Sequence, residues 1–394
     1  MKPLEDIKVL DLTIALSGPY CSMMLADFGA EVIKIEKPKV GDDTRAWGPP
    51  FIKGESAYFL SVNRGKKSLT LNLKSEMGRE IFKRLARDAD VVLENFRPGT
   101  VNKLGVDFKT LKKINPKIIY CSISGFGQDG PYRERPGYDQ ILQGLGGLMS
   151  ITGEEKRPPV KVGVAITDIA AGMFGAYAVL LALFHRERFG EGQYIDCSML
   201  DCQVSWLTYQ AFRYFATGKV PEKVGSGHPL IVPYQAFEAK DKYINIACGN
   251  DLLFEKFCKV IERSELSKDE RFKTNPQRII HRRELIEILS EIIEKENGDF
   301  WLERLSKAGI PCGLIYDMAD IFSDPQVLSR GMLLEVQHEK CGKLKQIGVP
   351  VKLSKTPGSV ELSPPMLGEH TEEILKGLGY SEEEIENFKK EGVV

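Results

Sequence analysis

The sequence predicts an α/β fold, with a large domain built on a Rossmann-like open parallel sheet and a smaller α/β domain beside it. Short apolar segments of strand length alternate with amphipathic segments of helix length through most of the first half of the chain. Helical crossovers between successive strands imply that these strands run parallel. The chain has 394 residues, more than one hydrophobic core usually supports, so we expect two domains.

A β-α-β unit is predicted at the start of the large domain. Residues 7–12 form an apolar segment of strand length, and residues 31–36 (EVIKIE) have the pattern of the next strand. Between them, Pro19 suits the first turn of a helix over 19–28, which Gly29 closes. The alternation then continues, with strands predicted at 68–73, 90–94, 117–124 and 194–199 and helices at 76–88, 108–114, from Asp168 to about Arg186, and at 201–216.

Glycine and proline mark the passage to a second domain. Gly218, Pro221 and Gly225 interrupt the helical pattern, so we interpret residues 218–227 as part of a linker. Beyond it, strands are predicted near 234–238, 242–247, 332–337 and 344–347, and helices near 251–262, 279–296, 298–308 and 369–377.

Composition excludes several function classes. Because 54 basic residues balance 55 acidic ones, the chain has no overall attraction for nucleic acid or an anionic membrane. We find no apolar run of membrane-spanning length and no signal-peptide core, and we therefore expect a cytoplasmic protein. The eight cysteines form no CxxC pair and none lies at metal-ligand spacing from a histidine, so we expect neither a metal nor a disulfide framework.

Asp168 is the leading candidate for catalysis. It follows residues 162–167 at the predicted start of a long apolar helix, where unpaired N–H groups and the helix dipole favour an ionised carboxylate. Those N–H groups would also stabilise an oxyanion formed when the carboxylate attacks a carbonyl group. Asp is equally a common N-cap residue, and taken alone the residue is better explained as a cap.

Basic side chains and a strand-end loop indicate where a phosphorylated ligand would bind. Lysines and arginines are frequent up to Lys103, and several follow predicted strands, where α/β folds bind ligands. Glu94-Asn95-Phe96-Arg97-Pro98-Gly99 follows one such strand as a plausible ligand loop. Glu36 stands where a dinucleotide-binding fold has its ribose carboxylate, but neither a GxGxxG nor a Walker lysine motif is present.

Taken together, these segments resemble the class III CoA-transferases, the family that includes formyl-CoA transferase. The resemblance covers nearly the whole chain, and its specificity lies in the order and spacing of many short motifs. They are Val9-Leu10-Asp11-Leu12, Gly18-Pro19, Gly29-Ala30-Glu31-Val32-Ile33-Lys34-Ile35-Glu36, Gly41-Asp42, Glu94-Asn95-Phe96, Gly137-Tyr138-Asp139, Thr167-Asp168, His228-Pro229, Gly309-Ile310-Pro311-Cys312-Gly313 and Leu367-Gly368-Glu369-His370-Thr371.

The resemblance implies a mechanism in which Asp168 attacks an acyl-CoA thioester. An aspartyl-acyl anhydride and then an aspartyl-CoA thioester would follow, and CoA would end on an acceptor acid. A carboxylate of reference pKa ~3.9 is expected to be ionised already, so no general base is needed. Coenzyme A is thus expected as a substrate.

The resemblance also implies a set of CoA contacts, at Ile14, Lys37, Leu71, Lys74, Asn95, Phe96, Lys103 and Tyr138. Lys37 and Lys103 stand where the formyl-CoA enzyme has arginine, which removes the bidentate fork from those phosphate contacts. Leu16 stands where that enzyme has an active-site glutamine, and the glycine loop of its small domain is not recognisable here. Both departures argue against formate and oxalate as the acids of this enzyme.

The family fold implies how the chain divides. Residues 1–200 and 331–394 would form the large domain, 201–224 a linker, 225–315 the small domain and 316–330 the return linker. In this family two chains interlock like rings, with the active site between the large domain of one and the small domain of the other. A homodimer is therefore expected.

Two other functions compete with CoA transfer. An α-methylacyl-CoA racemase of the same fold would need a basic histidine where Tyr138 stands, and tyrosine, with a reference pKa of ~10, is a poor base. A non-catalytic CoA-binding protein would have no need of Asp168. For the acids we favour succinyl-CoA as donor and a dicarboxylic acid as acceptor, with Arg45 and Arg135 available to pair a second carboxylate.

Overall fold

A computed structural model gives the structure of residues 2–394. The strands, numbered in chain order, are Lys8–Asp11 (β1), Glu31–Glu36 (β2), Phe51–Ile52 (β3), Glu55–Ser56 (β4), Lys66–Thr70 (β5), Val91–Glu94 (β6), Ile119–Ser124 (β7), Tyr194–Ser198 (β8), Tyr234–Glu238 (β9), Tyr243–Ala247 (β10), Cys312–Leu314 (β11), Leu333–His338 (β12) and Gly342–Ile347 (β13).

The helices of the same residues are Ser17–Asp27 (α1), Ala57–Val62 (α2), Glu76–Arg87 (α3), Thr100–Leu104 (α4), Phe108–Ile114 (α5), Asp139–Leu145 (α6), Leu148–Ile151 (α7), Ile166–Phe189 (α8), Met199–Ser205 (α9), Thr208–Thr217 (α10), Asp251–Val260 (α11), Asn275–Ile280 (α12), Arg282–Ile293 (α13), Gly298–Lys307 (α14), Met318–Ile321 (α15), Pro325–Ser329 (α16), Thr371–Gly377 (α17) and Glu382–Lys390 (α18). Short 3₁₀ helices cover Asp43–Ala46 and Ser264–Lys268.

The described residues form two compact units. One unit comprises the chain up to Leu148 together with Lys161–Phe212 and Pro325–Val394, and the other comprises Met149–Val160 and Arg213–Asp324. The domain boundaries expected from the family resemblance stay a prediction.

A parallel sheet of six strands forms the centre of the first unit, as the sequence predicts. Its order is β5-β2-β1-β6-β7-β8, with every neighbouring pair parallel. From β1 the chain proceeds to one edge of the sheet, and from β6 it proceeds to the other edge. The strand order thus reverses between β1 and β6, and a crevice for ligands is expected outside their carboxyl ends. The loops that follow Asp11 and Glu94 lie at this crevice.

Helix α8 is held against α1 by small residues. Ala170, Ala171, Gly172 and Gly175 are buried on α8. A Cβ atom added at Gly172 would lie 2.7 Å from the carbonyl oxygen of Ser17, so only glycine allows this approach. The close packing brings the beginning of α1 next to the beginning of α8, which is how Ser17 comes to lie beside Asp168.

Helix α8 also corrects one expectation. The sequence predicts no apolar run of membrane-spanning length, because the uncharged stretch reaches only from Ile169 to Phe184. As a helix of 24 residues, α8 is nevertheless long and apolar enough to cross a membrane by length and composition. Within the structure, 44% of its most apolar window is buried, and core helices of soluble proteins pass the same test.

The C-terminal segment completes the second face of the sheet in the first unit. Helix α17 packs beside β5, and residues of α17 and α18 join the apolar cluster that covers β1, β2, β5 and β6. Ser381 caps α18 through a capping box with Glu384. Helix α18 was not predicted, although Ser381 and the three glutamates that follow are a recognisable helix-start signal.

The second unit has its own core. An antiparallel sheet in the order β11-β10-β9 packs with α11, α13 and α14 around Phe237, Phe257 and Leu289. Strand β11 was not predicted. The predicted helix over 279–296 is in fact α12 followed by α13, which meet at His281.

The predicted helix over 201–216 is also two helices. Helix α9 ends at Ser205, and Thr208, which begins α10, has a positive φ of 35°. A residue in the left-handed conformation cannot continue an α-helix, so the helix breaks between α9 and α10. The apolar periodicity of 201–216 continues across this break and therefore does not reveal it.

Candidate active site

Asp168 is the third residue of α8, not its cap. The helix begins at Ile166 and the cap residue is Ala165, which makes no side-chain capping bond. Burial, the nearby Asp139 carboxylate and an opposing hydrogen bond from Ser17 together raise the pKa of Asp168 to about 7. Burial, the largest of these causes, disfavours the ionised form that the helix start is expected to favour.

Ser17 connects Asp168 to the loop after β6. The Ser17 hydroxyl donates to the Asp168 carboxyl group and accepts from the Asn95 side-chain nitrogen at 3.3 Å. The same Asn95 nitrogen donates to the Ile14 carbonyl at 2.7 Å, and the Ile14 N–H donates to the Asn95 oxygen at 2.8 Å. Asn95 therefore fastens the loop after β1 to the loop after β6, across the crevice in the sheet.

Asp139 fixes the backbone on the other side of the nucleophile. One of its oxygens accepts from the Thr167 N–H at 2.8 Å, and the other accepts from the Gln143 side-chain nitrogen at 2.6 Å. The Thr167 hydroxyl in turn donates to Gln203 at 2.5 Å. These bonds fix the position of Thr167, which precedes Asp168. They also place the Asp139 carboxylate close enough to Asp168 to oppose its ionisation.

A cavity of about 510 Å³ opens in front of Asp168. Four of the side chains predicted to contact CoA lie in its walls with Asp168: Ile14, Asn95, Phe96 and Tyr138. Ser17 also lines this cavity, as does Arg97 of the predicted ligand loop; other wall residues were not singled out from the sequence: Trp47, Tyr58, Arg133, Lys161 and Met199. All of these residues belong to the first unit.

Tyr58 is the most informative of the wall residues that were not predicted from the sequence. Burial, followed by the charges of Asp168 and Asp139, raises its pKa to about 12, so the phenol stays protonated and can donate a hydrogen bond. Its ring packs edge-on against Trp47, with the ring centroids 5.0 Å apart. No sequence motif marks Tyr58, because only the fold brings residues 47 and 58 to the cavity of Asp168.

A second cavity of about 700 Å³ adjoins the first, since Ile14, Phe96 and Thr100 line both. It holds three more of the predicted CoA contacts: Lys37, Leu71 and Lys74. Lys39 was not in that set but also lines this cavity. Lys37, Lys39 and Lys74 are exposed cations, as expected for a site that binds phosphate groups without enclosing them.

Lys103 is the one predicted contact that lines neither cavity. It is exposed on α4, three residues after Thr100, which lines both cavities. Its role in binding CoA stays a prediction.

Buried ion pairs lie directly behind the loop that follows β1. The Lys34 ammonium lies 2.9 Å from the Asp42 carboxylate and donates to the Thr13 carbonyl at 2.7 Å. Lys66 lies 3.1 Å from Asp11, and burial lowers the pKa of Lys66 to about 8. Ala15, in the same loop, has a left-handed φ of 65°. The ion pairs therefore hold a strained turn that carries Ile14 and Ser17 into the site.

Arg45 does not serve as predicted. Its guanidinium makes two hydrogen bonds of 2.7 Å to the buried Glu36 carboxylate and lies 3.7 Å from the centre of the Phe59 ring. Its Nη2 also donates to the Pro365 carbonyl at 3.2 Å, its Nη1 lies 4.0 Å from the Glu55 carboxylate, and Arg45 is not among the residues that line the cavity of Asp168. Glu36 likewise serves this ion pair and not a ribose hydroxyl. Arg135, in contrast, lines the cavity of Asp168.

No group of three His, Cys, Asp or Glu side chains within residues 2–394 is placed to hold a metal ion. The eight cysteines are free thiols, and seven of them are buried. None of the residues that line either cavity is a histidine or a cysteine.

These features define a class of protein: an α/β enzyme that accommodates a long ligand along two adjoining cavities, with lysines at one end and a reactive carboxyl group at the other. The chain belongs to CoA-transferase family III, whose family model matches residues 4–371. Membership explains why the site joins a cation-lined groove to a carboxylate, because CoA carries its phosphates at one end and its thiol at the other.

Named relatives and a solved structure agree with this family. The chain is 45% identical to human succinyl-CoA:glutarate CoA-transferase, over all of this chain and 90% of that protein. It is 43% identical to acetyl-CoA:oxalate CoA-transferase of Acetobacter aceti, over 89% of each chain. A crystal structure of a CaiB/BaiF family protein from Brucella suis is 44% identical, with a TM-score of 0.86 over 96% of this chain and 99% of that chain.

Proposed function

We propose that this enzyme moves CoA between succinyl-CoA and a second dicarboxylic acid, with Asp168 as the nucleophile. The observation that carries the proposal is the position of the Asp168 carboxyl group in the wall of a cavity that continues into a lysine-lined one. The human relative supports the choice of acids, because it is named for succinyl-CoA and glutarate, and succinate and glutarate both carry two carboxylates. That oxalate is not a substrate of this enzyme stays a prediction from the sequence.

The first half-reaction forms and breaks one bond at each step. The ionised Asp168 oxygen attacks the thioester carbonyl carbon, the C–S bond breaks, and CoA leaves as the thiolate with a mixed anhydride on the enzyme. The thiolate then attacks the aspartyl carbonyl carbon, and the donor acid leaves as its carboxylate. The enzyme now holds CoA as an aspartyl thioester, and no proton has been gained or lost.

The second half-reaction reverses this order with the acceptor. The acceptor carboxylate attacks the aspartyl carbonyl and expels CoA thiolate, which gives a second mixed anhydride. The thiolate attacks the acceptor's acyl carbon, and Asp168 returns to its carboxylate. The energy of the first thioester is conserved in the second, provided that water does not hydrolyse either anhydride.

The surrounding residues support these steps in specific ways. Ser17 donates to the carboxyl group and favours its ionised, nucleophilic form, against the burial and the Asp139 charge that disfavour it. Tyr58 keeps its proton and lines the cavity of Asp168, so we assign it as a hydrogen-bond donor to the oxygen on which charge develops. We assign the pantetheine end of CoA to the cavity with Ile14, Asn95, Phe96 and Tyr138, and the nucleotide end to the cavity with Lys37, Leu71 and Lys74, with Lys103 beyond it.

The racemase alternative has no support in the site. Abstraction of an α-proton at neutral pH calls for a base such as histidine, and none of the wall residues of the Asp168 cavity is a histidine. Tyr138, at the position in question, has 71% of its surface exposed. Exchange of deuterium into the α-position of a 2-methylacyl-CoA without any acceptor acid would be evidence for racemisation.

We further propose that the enzyme acts as a homodimer of the interlocked type found in its family. Helix α8 exposes a row of large apolar side chains, Met173, Tyr177, Leu181 and Phe184, at helical spacing. A monomer that left this row in water would carry an unusual apolar surface, which a second copy would cover. Light scattering after size exclusion should give twice the chain mass, and a monomer at micromolar concentration would contradict the proposal.

Activity measurements test the proposed reaction. Wild-type enzyme with succinyl-CoA should transfer CoA to one or more short dicarboxylic acids, and Asp168→Asn should lose nearly all of that activity. Glu187→Gln is the matched control, since Glu187 is an exposed carboxylate at the opposite end of α8. Wild-type rates in Asp168→Asn, or no transfer by the wild type to any acid, would refute the assignment.

A further inference from the structure

Two aromatic side chains pack with Arg135, which lines the cavity of Asp168. The Phe126 and Tyr132 rings meet edge to face with their centroids 5.7 Å apart, and the Arg135 guanidinium carbon lies 3.8 Å from the Tyr132 ring centre. The Arg135 N–H also donates to the Tyr132 carbonyl at 2.8 Å, which closes a turn. We name this group, Phe126, Tyr132 and Arg135, the Tyr132–Arg135 stack.

The stack orients a guanidinium whose donors are unused. Across residues 2–394, the Arg135 guanidinium makes no hydrogen bond or ion pair, and only the Tyr132 face holds it. Other cations of the cavity are engaged, because Arg133 lies 3.2 Å from Glu134 and Lys161 donates to the Val162 carbonyl at 3.1 Å. An arginine held by ring stacking keeps its planar fork of N–H groups available for a carboxylate.

Charge and size indicate what this fork would bind. Asp43, Asp139 and Asp168 give the cavity three acidic side chains, so a further carboxylate can be accommodated only beside a cation. If the reacting carboxyl group of a diacid lies at Asp168, its other carboxylate has to lie elsewhere in the same 510 Å³ cavity, and Arg135 lines it. Arg97, the remaining cation in the walls, also lines the cavity of Asp168 and not the second cavity, but it directly follows Asn95 and Phe96, which we assign to CoA.

We propose that Arg135, oriented by Tyr132, binds the distal carboxylate of the acyl group and of the acceptor acid, and so makes the enzyme select dicarboxylic over monocarboxylic acids. This inference rests on the proposed CoA transfer through Asp168. It assigns acid selection to a side chain outside the CoA contacts that the family resemblance implies.

Paired substrates of equal chain length test the proposal. We would measure kcat/KM for glutarate and for pentanoate as acceptors, and for succinyl-CoA and butyryl-CoA as donors. Arg135→Gln should lower kcat/KM for the two dicarboxylic substrates by about 10- to 100-fold, the range expected for loss of a charge-assisted hydrogen-bond pair. The monocarboxylic substrates should change by less than about threefold, because they have no group for Arg135 to bind.

Further variants separate orientation from charge. Arg135→Lys keeps the charge without the fork and should show an intermediate loss, whereas Tyr132→Leu should shift selectivity in the same direction as Arg135→Gln but less. Tyr132→Phe keeps the ring and should retain wild-type selectivity. Arg84→Gln is the matched control: Arg84 lies 4.5 Å from the Tyr380 ring centre and is exposed outside both cavities.

The possible outcomes are distinguishable. Equal losses of kcat/KM for dicarboxylic and monocarboxylic substrates would show that Arg135 contacts CoA, which all of these reactions share, and would overturn the inference. No loss of kcat/KM for either class would also overturn it. A wild-type enzyme that transfers CoA but prefers monocarboxylic acids would overturn this inference and leave the proposed transfer intact. A wild-type enzyme that transfers CoA to neither class would overturn the proposed function, and this inference with it.

Discussion

Replacement of Asp168 by asparagine should abolish activity and at the same time stabilise the fold. The folded protein raises the pKa of this carboxyl group from 3.8 to about 7. At 1.36 kcal/mol per pKa unit, the ionised side chain therefore destabilises the folded state by about 4 kcal/mol above neutral pH. Because the side chain borders the cavity, where water screens it, we treat this value as an upper limit.

The sign of the effect gives it a characteristic pH dependence. A carboxyl group whose pKa is raised by folding binds its proton more tightly in the folded state, so stability falls as pH rises from the unfolded pKa of 3.8 to the folded pKa of about 7. For these two values the penalty grows by about 2–3 kcal/mol between pH 5 and pH 8. Asparagine does not titrate, and its side-chain oxygen can still accept the Ser17 hydrogen bond.

Urea unfolding of both proteins at pH 5 and pH 8 provides the assay. The stability difference between Asp168→Asn and the wild type should widen by about 2 kcal/mol from pH 5 to pH 8. Other titrating groups, such as the buried Glu94 with its pKa raised to about 7, occur in both proteins and cancel in the difference. A stability difference that is the same at both pH values, or a variant less stable than the wild type at pH 8, would refute the reasoning.

The remaining predictions concern the residues around Asp168 and behind it. Ser17→Ala removes the hydrogen bond that lowers the pKa of Asp168, so the acidic limb of the kcat/KM profile, expected near pH 7, should move to higher pH; an unmoved limb would show that Ser17 does not act on the nucleophile. Lys74→Ala should raise KM for acyl-CoA several-fold at low salt and by a smaller factor at 0.5 M salt. At 0.5 M salt the Debye screening length is roughly 5 Å, so the exposed Lys74 charge contributes less to phosphate binding. A change in KM that does not depend on salt would indicate that Lys74 contributes through packing and not through its charge. Arg45→Ala leaves the buried Glu36 carboxylate without its partner and should lower the free energy of unfolding by about 3–5 kcal/mol, measured by denaturant titration; a loss below about 1 kcal/mol would contradict the buried-pair description.

Local patterns in the sequence were sufficient for most of the large sheet. The residues of 31–36 and 90–94 each mark a short strand that is buried on both faces, and that information lies within a few neighbouring residues. The order of strands was not predictable in the same way. It depends on which strands pair across many residues, as when β1 lies between β2 and β6.

In the site, too, features determined by neighbouring residues were predictable, and features created by the fold were not. Asp168 was found from its position at a helix start and from the family resemblance, but its raised pKa was not, since that depends on Asp139 and on burial. The assignment of Arg45 to a substrate failed because nothing local indicates that its partner is Glu36. Tyr58 was missed for the same reason, since its proximity to Asp168 is created only by folding.

The most direct test of the central claim is to trap the covalent intermediate. Wild-type enzyme incubated with succinyl-CoA in the absence of acceptor, then treated with hydroxylamine and digested, should yield a hydroxamate on the peptide that contains Asp168, as expected for an aspartyl thioester. Asp168→Asn should yield none. Turnover of CoA between acids by an enzyme whose Asp168 peptide is never modified would contradict the account.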